Sequence, residues 1–161
     1  MTVTFHQITE QEKQLICSWR YPEPYNIYNL PDAESSKTSG TGFYNSDKAK
    51  NYYSYYTGDT FIGYTSFTEK DSYVIIGIGL HPDFCGKGYG VHVLNTACKL
   101  CESLFPQKTP ALQVRSWNKR AIKFYEKAGF VISGSPFSLT TPLGEGEFIR
   151  MLRIGHTANN T

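Results

Sequence analysis

The sequence predicts an α/β fold, a mixed and mostly antiparallel sheet flanked by helices, and three observations carry that expectation. Tyr73 to Leu80 is a short run rich in Val and Ile, the signature of a buried strand. It passes directly into a loop with glycines at 86, 88 and 90. From Val91 onward Leu94, Ala97, Cys98, Cys101, Leu104 and Phe105 recur every three or four residues, as on one face of a helix.

The whole chain sets limits on this reading. With 161 residues, 40% of them hydrophobic, residues 1–161 are expected to form a single domain whose core needs neither disulfide nor metal. Met1 to Gln7 lacks the basic and apolar regions of a signal peptide, and no apolar run approaches membrane-spanning length, so a cytosolic, cytoplasmic protein with no membrane partner is expected. Cys17 and Cys85 stand alone. Cys98 and Cys101 have zinc-like spacing without a second pair, which favours core packing over a metal site. The net charge is +2 with no basic block, so the charge pattern calls for no nucleic acid.

Thr2 to Ile8 alternates as a first strand, and Thr9-Glu10-Gln11-Glu12 matches a capping box that starts a helix. Leu15, Ile16 and Trp19 give that helix an apolar stripe, and Pro22 and Pro24 stop it. From Tyr21 to Gly42 the chain reads as loop or short helices. Eight of the twelve tyrosines precede Gly58, so Trp19, Tyr21, Tyr25 and Tyr28 are candidate walls of an acceptor pocket, against half-buried packing as the plainer reading.

Tyr52 to Tyr56 and Thr60 to Phe67 read as paired strands around Thr57-Gly58-Asp59, and Glu69-Lys70-Asp71 turns into the central strand. Gly77 and Gly79 lie on one face of that strand, where a ligand, another backbone or a bulge would explain them. After the long helix, Pro106 to Pro110 is a breaker and Ala111 to Arg115 a short strand. A further helix runs from about Asn118, with Ala121, Phe124, Tyr125 and Ala128 on one face and Gly129 as its C-terminal cap. Val131 to Ser133 and Glu147 to Ile154 are expected to close the sheet around a turn-rich Pro136 to Gly146, with His156 to Thr161 frayed.

Strand, glycine turn and helix N-terminus in succession form a candidate anion site, because glycine amides and the positive end of the helix point to the same place. Two familiar phosphate motifs do not fit. A dinucleotide fingerprint needs a third glycine where Val91 or Val93 stands, and a P-loop needs Ser or Thr where Gly88 follows Lys87.

Leu80-His-Pro-Asp-Phe-Cys-Gly-Lys-Gly-Tyr-Gly90, with Asn118-Lys-Arg-Ala-Ile-Lys-Phe-Tyr-Glu-Lys-Ala-Gly-Phe130, resembles the two signature segments of the GNAT superfamily of N-acetyltransferases. The resemblance covers Thr60 to Ser133 well. It implies a GNAT-like acyl-CoA transferase fold, acetyl-CoA as cosubstrate, and direct transfer of the acetyl group to a primary amine. It also implies that Gly86, Lys87, Gly88, Tyr89 and Gly90 hold the pyrophosphate through backbone amides, and that a bulged strand ending at Leu80 pairs with the pantetheine arm. Cys85 stands where the family carries Arg or Gln, which removes a polar side chain and leaves the backbone nest. Asn118 matches the cofactor-contacting asparagine and Tyr125 the tyrosine facing the thiol, against a helix N-cap and a core aromatic as their structural readings. His81, near the thioester end of the strand, is the candidate base, ahead of Glu69 and Asp71, with water as the other route.

The acceptor is expected to be a small-molecule or peptide amine, its pocket built from the region before Gly58 and, in a homodimer, from the second copy. The runners-up are a non-catalytic acyl-CoA-binding or sensing module and a protein N-terminal or lysine acetyltransferase.

Overall fold

Seven strands form one mixed sheet in the order β1-β2-β3-β4-β5-β7-β6. In the computed structural model, which describes residues 1–154, the strands are β1 (Thr4–Gln7), β2 (Tyr52–Thr57), β3 (Thr60–Glu69), β4 (Tyr73–Leu80), β5 (Thr109–Arg115), β6 (Phe130–Thr141) and β7 (Gly144–Arg153). The helices are α1 (Glu10–Cys17), α2 (Ala33–Ser39), α3 (Ser46–Ala49), α4 (Tyr89–Leu104) and α5 (Lys119–Lys127). The chain groups into two compact units, Met1–Ser66 with Ile78–Val93, and Phe67–Gly77 with Leu94 onward. The tail expected to fray, His156 to Thr161, lies outside the described residues.

In the first unit β1 pairs antiparallel with β2, and β2 with β3 around the two-residue turn Gly58-Asp59. Gly58 has φ +58°, the left-handed conformation such a tight hairpin requires. The Thr9 capping box forms as expected: the Thr9 hydroxyl accepts from the Glu12 amide, and the Glu12 carboxylate accepts from the Thr9 amide. α1 ends at Cys17, ahead of both prolines, with Ser18 as its cap. Ile16 and Trp19 are buried with Cys17 and Phe43, but Leu15 is 46% exposed and leaves the expected stripe. β1 is also shorter than its alternation suggested, and none of its four residues is buried. The segment from Tyr21 to Gly42 resolves into short helices: a 3-10 turn at Tyr25–Tyr28, α2 capped by Asp32, and a second 3-10 turn at Gly42–Tyr44.

A buried carboxylate anchors this unit. Glu12 is 4% exposed and accepts from Ser54 Oγ at 2.7 Å, from the Thr9 amide at 2.9 Å, from the Tyr56 hydroxyl, and from His6 Nε2 at 2.8 Å. Burial alone would raise its pKa; the four donors outweigh it and hold the carboxyl below the usual carboxylate range.

In the second unit Tyr73, Val74 and Ile75 of β4 pair in parallel with Thr109, Pro110 and Ala111 of β5. β5 pairs antiparallel with β7, and β7 with β6. The strand β5 starts at Thr109, inside the expected breaker, because Pro110 needs no amide partner of its own. The turn-rich reading of Pro136 to Gly146 is corrected: β6 continues to Thr141 and only Pro142 and Leu143 form the turn. Its register shifts between Ser133 and Phe137, so Gly134, at φ +80°, and Pro136 occupy an irregularity and interrupt no ladder. On α4 the residues Leu94, Ala97, Cys98 and Cys101 are fully buried, while Leu104 is exposed. Burial pushes the Cys98 thiol up to about 11 and the Cys101 thiol up to about 12, so both pack as small apolar groups. On α5 Ile122 is buried, and Ala121, Phe124, Tyr125 and Ala128 are half-buried. Gly129, at φ +93°, follows the helix as expected.

Candidate active site

β4 delivers the chain to the glycine loop. The His81 amide donates to the Ile62 carbonyl at 2.9 Å, one step beyond the strand. Pro82–Phe84 then form a 3-10 turn capped by His81, whose Nδ1 accepts from the Asp83 amide at 3.0 Å. That bond assigns the neutral ring its hydrogen at Nε2. The Asp83 carboxylate lies 3.8 Å from the same Nδ1.

Gly86 and Gly88 have φ +72° and +87°, and a side chain at either position would meet no atom within 4 Å. Backbone conformation, not crowding, therefore requires glycine at both. Gly90 differs, since it lies in the first turn of α4 with an ordinary helical backbone. No acidic residue occupies that first turn, so nothing opposes an anion at the amides there. The loop that the sequence singles out, with Lys87 and Tyr89 beside its glycines, thus suits a pyrophosphate. Cys85 Sγ lies 3.7 Å from the His81 carbonyl, within the same turn.

At Gly79 of β4 the close approach comes from the neighbouring strand. A side chain on Gly79 would run into the Tyr64 ring, and one on Gly63 into the Gly79 carbonyl at 2.7 Å. Tyr64, on the neighbouring strand, fills the space over Gly79 that the sequence left to a ligand or a bulge. At the end of β4 the Tyr21 hydroxyl donates to the Leu80 carbonyl at 2.6 Å. Burial pushes the Tyr21 phenol far above its ordinary pKa.

A cavity of about 380 Å3 lies beside His81, lined by Trp19, Phe61, Phe84 and Asp83 among others. Of the four aromatics expected to wall an acceptor pocket, Trp19 lines it, whereas Tyr21 reaches Leu80 and Tyr25 and Tyr28 sit in a 3-10 turn. Phe61 and Phe84 were missed. Both read as ordinary strand or turn aromatics, and no local signal distinguishes them.

The second unit holds the other candidates. Asn118 is 6% exposed, and its Oδ1 accepts from the Ala121 amide at 3.2 Å, so the N-cap reading is realised and the oxygen is committed to the helix. Tyr125 lies two turns further along α5, half-buried, its ring 5.3 Å from Phe124 and 6.3 Å from Phe130. Of the lesser base candidates, Glu69 pairs with Lys108 at 2.7 Å, and Asp71 stands in the turn between β3 and β4.

A mixed, mostly antiparallel sheet with a glycine loop between β4 and α4 defines an acyl-CoA-dependent transferase class. The model of the acetyltransferase (GNAT) family matches residues 13–130, and the chain belongs to that family. It is therefore an acetyl-CoA-dependent N-acetyltransferase, as the signature segments implied.

Solved structures share the fold. A chimera of the Vibrio cholerae spermidine N-acetyltransferase SpeG with hSSAT superposes with a TM-score of 0.75 at 17% identity, covering 99% of each chain. The V. cholerae spermidine/spermine N-acetyltransferase SpeG, in complex with manganese ions, gives 0.71 at 17% identity over 99% of this chain and 97% of its own. The Escherichia coli ribosomal-protein-S18-alanine N-acetyltransferase gives 0.64 at 18% identity over 94% and 93%. No curated protein matches the chain. Among the described residues no helix is long and apolar enough to cross a membrane.

Proposed function

We propose that the chain moves the acetyl group of acetyl-CoA to a primary amine by direct attack in a ternary complex. The observation that carries this reading is the pair of left-handed glycines, Gly86 and Gly88, just before α4, whose first turn carries no acidic residue. The loop from Gly86 to Gly90, with Lys87 and Tyr89, binds the pyrophosphate, and the end of β4 at Leu80 aligns the pantetheine arm. Asn118 contributes to the cofactor from the head of α5. The solved structures of similar fold that act on spermidine and on a ribosomal-protein alanine support an amine acceptor, free or peptidic.

In this reading Tyr125 hands its proton to the departing thiolate, which an ordinary phenol can do because it stays protonated at neutral pH. His81 takes the proton from the amine. With hydrogen at Nε2, its available lone pair is at Nδ1, so the incoming proton displaces the Asp83 amide and is then held by the Asp83 carboxylate 3.8 Å away. A screen of amines and peptides that reads free CoA tests the function: release with any of them supports transfer, and none across the screen leaves an acyl-CoA sensor.

A further inference from the structure

The cavity beside His81 carries a chemical character of its own. Four rings form a continuous arc: Phe61 to Trp19 at 5.3 Å, Trp19 to His81 at 5.2 Å and His81 to Phe84 at 5.4 Å between centroids. Leu15, exposed on α1, adds apolar surface. The charged side chain of the lining is Asp83, 81% exposed. Aromatic walls suit a cation through their quadrupoles, and the carboxylate favours the same sign, while no lysine or arginine is among the lining residues.

Size and charge together select the ligand. The volume, about 380 Å3, is at the lower end of small-molecule sites. A single carboxylate balances a single positive charge. A polyamine would bring further ammonium groups for which the lining supplies no second carboxylate. An anionic ligand would face Asp83 itself.

We infer that this cavity is a binding site for a compact amphipathic cation, a primary amine carried on an aromatic or branched apolar body, and that it selects against polyamines. That this ligand is the acetyl acceptor rests on the function proposed above; the binding itself does not.

The test is calorimetric titration of the full chain, without acetyl-CoA, with 2-phenylethylamine as probe and with benzyl alcohol and spermidine as comparisons. Saturable binding of 2-phenylethylamine, tighter than either comparison, is expected. Asp83→Asn, on a side chain 81% exposed, should weaken it by about three- to fivefold, the scale of an exposed ion pair. Phe84→Leu should weaken it by about threefold or more while keeping an apolar wall. Absence of saturable binding, tighter binding of spermidine, or equal affinity in Asp83→Asn overturns the inference. Free CoA is then read with each amine. Binding without CoA release from any amine would sink the transfer reading and leave the site standing, whereas release with spermidine and no binding of 2-phenylethylamine would do the reverse.

Discussion

The Tyr21 hydroxyl donates to the Leu80 carbonyl at 2.6 Å, tying the segment after α1 to the last residue of β4. Because burial keeps the phenol protonated well beyond neutral pH, the tie holds across the working range. Leu80 immediately precedes the turn into the glycine loop, so the bond fixes the strand end from which that loop departs. Tyr21→Phe should cost about 1 kcal/mol of stability, the usual net worth of one hydrogen bond. Weaker acetyl-CoA binding by calorimetry should accompany it; affinity equal to wild type would reduce Tyr21 to a packing role.

Glycine is required at position 88 for its backbone and not for space, and two substitutions separate these demands. Gly88→Val forces a β-branched residue to φ +87°, whereas Gly88→Asn places there a residue that tolerates the left-handed region. Acetyl-CoA affinity should fall by at least about tenfold in Gly88→Val, equivalent to about 1.4 kcal/mol, and much less in Gly88→Asn. Undiminished affinity in a folded Gly88→Val protein would place the cofactor elsewhere.

Much of this machinery was legible because it depends on local order in the chain. The glycine loop, the Thr9 capping box, the Gly58-Asp59 hairpin and the Asn118 cap are all set by neighbouring residues. What stayed hidden depends on partners far along the chain: Tyr64 over Gly79, Tyr21 on Leu80, and the arc from Phe61 to Phe84. The second half of β6 was hidden for another reason. Pro136 and the surrounding glycines signal a turn, and only pairing with β7 shows that they mark a shifted register within a strand.

Glu12 was equally unreadable, since Ser54 and Tyr56 reach it from β2. Its pKa is lower in the folded chain than the ordinary 4.5. The stability it contributes is therefore fully present above about that pH and is lost as pH falls through the lower folded value. Glu12→Gln should cost about 1 to 3 kcal/mol at neutral pH, because charge-assisted bonds are lost and a buried donor is introduced. In urea titrations the gap between variant and wild type should narrow as the solution is made acid. A gap independent of pH would show that the carboxylate charge contributes nothing.

For His81 the decisive measurement is the pH profile of turnover. The rate should rise with pH toward a plateau, because a protonated ammonium has no lone pair with which to attack. If His81 takes the amine's proton, His81→Ala should lower the plateau by about 10² or more and shift the rising limb. Asp83→Asn, which removes the carboxylate 3.8 Å from Nδ1 that holds the transferred proton in this reading, should lower the plateau by a smaller factor than His81→Ala. An unchanged plateau and limb in His81→Ala would assign deprotonation to water or to the substrate's own titration.

Tyr125 and Asn118 stand seven residues apart, Asn118 at the N-cap of α5 and Tyr125 within it, about two turns or roughly 10 Å along the axis. In the reading proposed above, this spacing suits an extended cofactor arm contacted at two points. Tyr125→Phe keeps the ring against Phe124 and Phe130 and removes the hydroxyl, so folding and acetyl-CoA affinity should hold. Loss of a general acid should lower kcat by about 10² to 10⁴. Stopped turnover with an activated thioester, whose leaving group needs no proton, should recover much of that loss, which a packing defect would not allow. If kcat of the folded variant stays within about threefold of wild type, below the smallest loss expected for a catalytic acid, Tyr125 is a core aromatic and the thiolate takes its proton from water.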